Sequence, residues 1–512
     1  MNNYDSIYTP GSVAVTEEKP AVTFTKTERI TAILMLLAGF LWIRLCLYHA
    51  SGVFTTLLYA GIITAQIVCL HRSGVQLTRS EKLTCAVLYV FSLVYTITDN
   101  DLLKGLTTVF LALTGCLFLV HVGNPNGDIL RYLPVSLAKG LFVTPTCKVD
   151  TAFRSVCTGT RSKGFWKNAG FVVLGLMLAV PVTFIAGVLL YQADDNMAHL
   201  LDSLFQIPSS EVMTLFPHLL IGLVVGSFVF SALYCALHKL QGVHPETCAE
   251  MAGNCRIIPT PLLCAMATPL CLLYILFFFS QLQYFLGGFT GDIKGFTYAE
   301  YARRGFFELC GVCCMNVLVI GFMGFFAKLR DNRKPLALKL YGAFLCVSSL
   351  LLAGTAIAKM FLYIHVYGMT PLRVYTTWFM LLLVIGFTAL LIRQFKESFN
   401  LGKVMTVAFT LMFAVLCFSR PDAWMTRYNA EMYLSGALER FDCELLTEMS
   451  DDAYAALSHY NDTDLQNLLT DKNYSAVKRF TLRADRTRED FWENTNLPAW
   501  ELMAWEGTLD GE

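Results

Sequence analysis

Charged side chains are scarce in this chain of 512 residues, since only 15% are charged, 55% are hydrophobic and the mean hydropathy is +0.52. A soluble domain usually carries about 25% charged and about 45 to 50% apolar residues, so the composition excludes a protein that is soluble throughout. The common catalytic motifs are also missing: there is no Gly-rich phosphate loop, no nucleophile elbow and no His-Glu-x-x-His run. These absences count against an enzyme without excluding one.

The chain has 17 cysteines, but few of them lie outside the apolar runs, where a disulfide could form. Most lie inside apolar runs, where a thiol behaves as a small hydrophobe, and only Cys443 falls clearly in the polar C-terminal part. The run Cys310-Gly-Val-Cys313-Cys314 has a spacing similar to that of metal ligands, but its place in an apolar helix favours core packing. We therefore expect no disulfide framework, no metal site and no cofactor.

The dominant feature that is present is a series of apolar stretches, each close to the ~20 residues that a spanning helix needs. The third stretch is short, and the first has no small-residue cleavage site after it, so we interpret the first as a retained span rather than a signal peptide. The sequence predicts an all-α polytopic transmembrane helix bundle with about eleven spans. They are placed near residues 30–48, 52–70, 83–97, 105–122, 168–191, 212–237, 259–280, 304–327, 338–363, 374–392 and 401–418.

Basic residues between these spans fall mainly on alternate loops. With the N-terminus in the cytoplasm, the inner loops hold twenty-three lysines and arginines and the outer loops hold five, which satisfies the positive-inside rule. An odd number of spans then places the acidic C-terminal part outside. We predict a disordered cytoplasmic N-terminus at 1–28, a transmembrane helix bundle at 29–418 and an acidic extracytoplasmic helical domain at 419–512, in a multi-pass protein of the plasma membrane.

The expected partners follow from this arrangement. The lipid bilayer surrounds the spans, and the inner loop at 123–168 carries leucines among seven basic residues, which suits contact with anionic lipid headgroups. A nucleotide or protein site in that loop is the alternative. The C-terminal domain is a possible site for a protein partner or ligand, and no nucleic acid is expected.

Polar residues cluster near the predicted outer ends of spans seven to ten. Thr297 and Glu300 match a capping box, which predicts a helix start, and the following face carries carboxylates and an arginine at four-residue spacing. Lys359 reaches the same level and should either extend to the interface or meet a carboxylate, for which Glu308 is the candidate. We predict an outward-facing polar pocket, and the alternative is a charge network that only fixes helix ends. The pocket residues are Glu300, Arg304, Glu308, Lys359, Tyr363 and Arg373.

Two further acidic residues, Asp99 and Asp101, follow the third predicted span. Outward acidic residues of this kind act as bases or metal ligands in lipid-linked glycosyltransferases. A solvated turn is the favoured interpretation. Farther along, Asp422 is predicted to cap one short helix and Ser450 to start another.

Three short motifs stand out in the second half of the chain. They are Phe296-Thr-Tyr-Ala-Glu-Tyr-Ala-Arg-Arg-Gly-Phe-Phe-Glu-Leu309, then Leu362-Tyr363 with Tyr367-Gly-Met-Thr-Pro-Leu-Arg373, and then Arg420-Pro-Asp422 with Arg427-Tyr-Asn429. Together they resemble the bacterial membrane families DUF4173 and DUF4153, with Met369 as a departure where the family pattern has leucine. The resemblance covers the second half well and the first half mainly by hydropathy. It implies a membrane bundle in a bacterial plasma membrane, and it implies no activity because the families have none assigned.

The leading hypothesis for function is a non-enzymatic envelope protein, either a transporter-like permease or a sensor or accessory protein. The absence of an inverted repeat counts against a secondary transporter, and the absence of a cytoplasmic output domain means that a sensor would need a partner. One alternative is a membrane enzyme for a lipid-linked or phosphate-bearing substrate at the outer face. There Glu300 or Glu308 would be the base, and Arg304 or Arg373 would hold the phosphate. The other alternative is a structural scaffold.

Overall fold

The computed structural model describes residues 24–45, 52–124, 130–157, 210–240, 250, 253–289, 306–328, 334–396, 398–469 and 495–504. Within these ranges the regular elements are helices, with one isolated bridge between Ile258 and Ala327 and no strand. This confirms the predicted all-α class. The helices are α1 (Lys26–Ile43), α2 (Val53–Arg72), α3 (Arg79–Ser92), α4 (Val94–Ile97), α5 (Asp101–Gly123), α6 (Leu133–Ala138), α7 (Thr144–Cys147), α8 (Asp150–Cys157), α9 (Ser210–Leu237), α10 (Thr260–Phe289), α11 (Phe306–Phe326), α12 (Leu336–Tyr367), α13 (Pro371–Phe395), α14 (Leu401–Phe418), α15 (Pro421–Leu434), α16 (Leu445–Glu448), α17 (Asp451–Leu457), α18 (Asp462–Leu469) and α19 (Leu497–Met503).

Nine helical segments in the described part of the chain are long and apolar enough to cross a membrane. They are α2, α3 with α4, α5 and α9 to α14, and each coincides with a predicted span. The short third span corresponds to α3 and α4, which together cover Arg79–Ile97. At the first predicted position lies α1, an 18-residue helix with Lys26, Glu28 and Arg29 in its first turn. The predicted span at 168–191 lies outside the described residues. The chain is a multi-pass membrane protein.

Two helices begin with the same capping arrangement at one end of the bundle, which we call the basic end. At α1 the carboxylate of Glu28 accepts a hydrogen bond from the backbone N–H of Thr25 (2.7 Å), and the Thr25 hydroxyl accepts one in return. The same carboxylate contacts His238 at the end of α9 (2.8 Å). The box recurs at α3, where the capping carboxylate of Glu81 lies 3.8 Å from His121 on α5. Both boxes therefore fix the start of one helix against the end of another.

The backbones of α1 and α9 touch through glycines. A Cβ on Gly39 would lie 2.6 Å from the backbone nitrogen of Gly226, and a Cβ on Gly222 would lie 2.5 Å from the Cα of Phe40. The four-residue spacing of Gly222 and Gly226 is typical of small-residue contacts between membrane helices. Only hydrogen fits at these positions while the helices keep this separation.

The spans α10 to α13 share one apolar core, and a polar network crosses it at mid-height. The amide of Asn316, fully buried halfway along α11, accepts a hydrogen bond from the Tyr274 hydroxyl (2.5 Å) and donates one to the Ser349 hydroxyl (2.8 Å). Hydrogen bonds between membrane helices contribute about 0.6 kcal/mol on average. The network thus joins α10, α11 and α12, while apolar packing supplies most of the stability.

The last span and the helices after it connect the two halves of the molecule. On α14, Phe413 lies 5.5 Å from Phe91 of α3 and 5.4 Å from Phe110 of α5, measured between ring centroids. The helices α15 to α19 pack around their own buried cluster, which includes Met425 and also takes in Val374 from the start of α13. These helices therefore lie on the opposite end of the bundle, which we call the acidic end.

Candidate functional site

The structure describes four of the six residues of the predicted pocket. Glu308 is exposed in the first turn of α11, and Lys359 is half-buried on α12. Among the described residues the ion pairs do not include the expected one between Glu308 and Lys359. Tyr363 and Arg373 are brought together, with the guanidinium carbon of Arg373 lying 4.1 Å from the centre of the Tyr363 ring. The other two predicted pocket residues, Glu300 and Arg304, lie outside the described residues.

Arg373 also caps the end of α12. Its guanidinium donates hydrogen bonds to the backbone carbonyl oxygens of Tyr367 (3.1 Å) and Gly368 (2.5 Å). The last carbonyls of a helix have no partner within the helix, and a cation there also interacts favourably with the helix dipole. Together with the stacking on Tyr363, these contacts give Arg373 a role that needs no ligand.

The turn between α12 and α13 is clamped by Asn429 of α15. The Asn429 side chain accepts a hydrogen bond from the backbone N–H of Met369 (2.7 Å) and donates one to the Met369 carbonyl (2.8 Å). Gly368 adopts φ +75° here, and a Cβ on it would lie 2.7 Å from the Asn429 oxygen, so glycine is required. Two of the three motifs singled out in the sequence therefore meet in space.

We expect the substitution Asn429→Leu to lower the free energy of unfolding by about 2 kcal/mol, because it leaves the N–H and carbonyl of Met369 without partners. The measurement is denaturant unfolding of the purified full chain in detergent. Glu431→Leu, at an exposed position of the same helix, is the matched control and should have little effect. Equal stability of the two variants would show that the clamp is dispensable.

A larger network joins the turn before α5 to the acidic end. The carboxylate of Asp452, fully buried on α17, accepts hydrogen bonds from the Thr98 hydroxyl (2.5 Å), the backbone N–H of Asp99 (2.9 Å) and Nε of Arg420 (2.6 Å). The two terminal nitrogens of Arg420 donate to the two carboxylate oxygens of Glu501 on α19 (2.8 and 2.7 Å). This is the bidentate geometry of strong arginine–carboxylate pairs, so one guanidinium holds carboxylates from two helices.

The electrostatics of this centre are those of a buried ion pair. Burial raises the pKa of the Asp452 carboxyl, and the hydrogen bond from Thr98 and the charge of Arg420 oppose that shift. Burial acts to lower the pKa of the Arg420 guanidinium, but the contacts with Glu501 and Asp452 outweigh it and raise that pKa. Arg420 also has φ +51°, a left-handed conformation that costs roughly 1–2 kcal/mol for a non-glycine residue. The surrounding contacts hold the residue in this conformation.

Asp422 forms a second buried centre beside the first. One oxygen accepts hydrogen bonds from the amide of Asn100 (2.8 Å), the backbone N–H of Ser450 (3.1 Å) and the Ser450 hydroxyl (2.6 Å), and the Asn100 amide also donates to the Tyr375 hydroxyl (3.0 Å). The other oxygen of Asp422 is buried without a hydrogen-bond partner in the described part of the chain. The prediction that Asp422 caps its helix was wrong, because Arg420 occupies the N-cap position. The predicted start at Ser450 is confirmed.

The prediction of a solvated turn at Asp99 was also wrong. The Asp99 carboxylate forms an ion pair with Lys104 (2.6 Å) and accepts a hydrogen bond from the amide of Asn496 (2.8 Å), while Lys104 and Thr98 are buried. Asp101 alone is exposed as expected. Sequence reasoning missed this centre because the partners of the turn lie several hundred residues away along the chain.

Metal-ligating side chains do not gather in the described residues, where no group of three or more His, Cys, Asp or Glu side chains could hold an ion. Within the run Cys310–Cys314, Cys313 is fully buried in the core of α10 to α13. That burial is the packing role predicted from the sequence.

Comparison with known proteins places this architecture in a family. No curated protein and no solved structure matches the chain. A family model described as "Domain of unknown function (DUF4153)" matches residues 85–460, while the resemblance to DUF4173 stays a prediction. The matched range includes the turn at Thr98 and Asp99 before α5, the clamped turn at Gly368 and the two buried centres at Asp422 and Asp452. The chain, most of whose length is covered by this match, therefore belongs to the DUF4153 family.

Proposed function

We propose that this protein is a multi-pass sensor or accessory protein of a bacterial plasma membrane. In this proposal the acidic end faces outward, α15 to α19 respond to a signal there, and the buried network transmits the response to the spans. A protein partner carries the signal inward. The orientation is supported by the basic residues of the alternate loops and by nineteen acidic against nine basic residues after position 418.

One observation carries the proposal: Arg420 binds Asp452 and Glu501, while Asp452 also binds the turn at Thr98 and Asp99. A displacement of α17 must either break the hydrogen bonds that Asp452 accepts from Thr98 and Asp99 or move the turn that begins α5. A hydrogen bond to a charged group contributes about 1.5–3 kcal/mol. Moving the turn is therefore the easier response, and it carries the displacement into α5.

Two of the alternatives fit the described contacts less well. An enzyme that holds a phosphate with Arg373 would first have to release that guanidinium from the carbonyls of Tyr367 and Gly368. A transport path between α10, α11 and α12 would have to break the hydrogen bonds of Asn316 at mid-height. A scaffold role would need the network for stability alone, and the experiments below separate that role from sensing.

Hydrogen exchange of the full chain tests the coupling. Asp452→Asn keeps the shape of the side chain and removes its charge, and we expect faster exchange both in α17 and in the first turns of α5. The matched control is Glu439→Gln, which removes an exposed carboxylate of the same part and should leave α5 unchanged. Faster exchange confined to α17 would contradict transmission to the spans.

The sensing role needs a test in cells. Cells that contain the Asp452→Asn variant at normal amounts are expected to show the transcriptional profile of cells that lack the protein. A profile like that of the wild type would refute sensing through this network. The orientation is tested separately by a reporter fused after Glu512, and activity of the reporter only in the cytosol would refute an outward acidic end.

A further inference from the structure

Asp422 in the first turn of α15 is a buried carboxylate that meets no cation in the described part of the chain. The residue is only 1% exposed. One of its oxygens accepts three hydrogen bonds, from the amide of Asn100 and from the backbone N–H and hydroxyl of Ser450, and all three donors are neutral. A buried carboxylate without a positive partner is strongly disfavoured and tends to take up a proton instead.

The cations around Asp422 are already held by other acids. Arg420 is shared by Asp452 and Glu501, and Lys104 pairs with Asp99. Four carboxylates, counting Asp422, thus face two cations among the described residues of this network, and Asp422 is the acid that has no counter-ion. The surrounding groups that can carry a charge are Arg420 beside it on the chain, Asp452 of α17, Glu501 of α19, Asp99 and Lys104 where α5 begins, Tyr375 of α13 and Cys417 of α14.

The second oxygen of Asp422 identifies the ligand through its lack of space. This oxygen is buried without a hydrogen-bond partner in the described residues, and no space the size of a water molecule adjoins it. A bound water needs such a space and two or more polar partners, and a metal ion needs still more oxygen ligands. A hydrogen atom on the oxygen needs neither, so the geometry favours a proton.

The neighbouring acid Asp452 makes this retention stronger. The Ser450 hydroxyl lies 2.6 Å from an oxygen of Asp422 and 3.3 Å from an oxygen of Asp452, so one hydroxyl joins the two acids. Two carboxylates this close oppose each other's ionisation and titrate as a pair. Burial raises the pKa of the Asp452 carboxyl, but the charge of Arg420 favours its ionised form. A proton held by the pair therefore stays on Asp422.

We propose that Asp422 is a proton-binding site of the folded chain and that loss of this proton is the signal to which α15 to α19 respond. The second half rests on the proposed sensing role, whereas proton binding itself does not. Under the proposed orientation, the stimulus is a rise of pH outside the membrane.

The contacts of Asp422 connect proton loss to the spans. Ionised Asp422 places an uncompensated charge between α15, the start of α17 and the turn before α5, and this charge favours their separation and the entry of water. The side-chain oxygen of Asn100 caps α5 by accepting a hydrogen bond from the N–H of Leu103 (3.0 Å), while its amide nitrogen donates to Asp422. A shift at Asp422 therefore reaches the first turn of α5 through one side chain.

Infrared spectroscopy of the full chain in detergent detects the proton directly. A protonated carboxyl group has a carbonyl stretch that a carboxylate lacks, and we expect such a band in the wild type at pH 7 and its loss in Asp422→Asn. The matched control Asp442→Asn removes an exposed carboxylate of the same part of the chain and should keep the band. Absence of the band from the wild type, or its survival in Asp422→Asn, would overturn the proposal.

Asp452→Asn gives an independent check that keeps Asp422 in place. It removes the neighbouring negative charge and frees Arg420, and both changes favour ionisation of Asp422. The infrared band should therefore disappear at a lower pH than in the wild type. A band that disappears at the same pH would contradict its assignment to Asp422.

The pH dependence of denaturant unfolding counts the bound proton. An unfolded aspartate ionises near pH 4, so above that pH the folded chain holds one proton more than the unfolded chain. Its folded-to-unfolded ratio then falls about tenfold per pH unit until the folded site releases the proton. Relative to Asp422→Asn, which cannot titrate there, the wild-type ratio should fall by about tenfold or more between pH 5 and pH 7. Parallel curves for the two proteins would refute proton binding.

The signalling half has its own readout in cells. Cells with the wild type should change their transcriptional profile when the outside pH is raised from 6 to 8, and cells with Asp422→Asn should keep one profile. If the infrared band behaves as expected while the profile of the variant still follows the pH, the proton site stands and its role as the signal is overturned.

Discussion

Replacing Arg420 by methionine is expected to lower the free energy of unfolding by about 3–5 kcal/mol. The substitution removes the cation that Asp452 and Glu501 share, and Asp452 would keep a fully buried carboxylate without a positive partner. Such an uncompensated charge is more costly than the net stability of the intact pair. Denaturant unfolding of the purified full chain measures the loss.

A matched variant and a double variant make this expectation specific. Arg427→Met changes an exposed arginine on α15, about two helical turns after Arg420. It should alter the free energy of unfolding by no more than about 0.5 kcal/mol. Adding Asp452→Asn to Arg420→Met should recover part of the loss, since the orphaned charge disappears. A loss below about 1 kcal/mol for Arg420→Met, or no recovery in the double variant, would contradict a buried ion pair at this place.

The second large effect is expected at the contact between α1 and α9. Gly222→Ala should destabilise the chain by about 3 kcal/mol, the upper part of the usual range for overpacking, because the new methyl group would meet the backbone of Phe40 at 2.5 Å. A backbone cannot move aside as a flexible side chain can, so the two helices must separate. The measurement is thermal unfolding of the full chain, together with its yield after purification.

Gly115→Ala is the control that the chain itself offers. Gly115 lies within α5, and a Cβ there meets no atom within 4 Å. Because glycine inside a helix is roughly 0.5–1 kcal/mol less favourable than alanine, this variant should be as stable as the wild type or more stable. Opposite signs for the two substitutions are the expected result, and equal effects would rule out a tight contact at Gly222.

The spans were predictable from the sequence because the signal is local. About 20 consecutive apolar residues are needed to cross a bilayer, and such a run is visible without knowledge of its neighbours. Even the short third span was placed correctly, although no local pattern indicated the break between α3 and α4 near Leu93. The contact of α1 with α9 left a weaker signal, the spacing of Gly222 and Gly226, which does not identify the partner helix.

The buried centres at the acidic end were not predictable by the same reasoning. Local rules gave Asp422 a capping role and Asp99 a place in a solvated turn, and both residues instead bind partners that are distant in sequence. Thr98 and Asp452, for example, are separated by 354 positions. The motif Arg420-Pro-Asp422 was recognised as distinctive, but its meaning depends on which loop it meets. Arg373 and Tyr363, both named for the predicted pocket, are in contact in the structure, while the pocket itself stays a prediction.

The sequence distance between Thr98 and Asp452 has a consequence for biosynthesis. A ribosome adds about 5–20 residues per second, so roughly 18 to 70 s pass between the synthesis of the two residues. During that interval the first five described helices are already made while the turn at Asp99 has neither Asp452 nor Asn496 to bind. The closure of this half of the molecule at the acidic end is thus a late event. Until then the nascent chain must keep its early helices in place through contacts among themselves, such as the hydrogen bond from the Thr56 hydroxyl to the Ser92 carbonyl (2.7 Å).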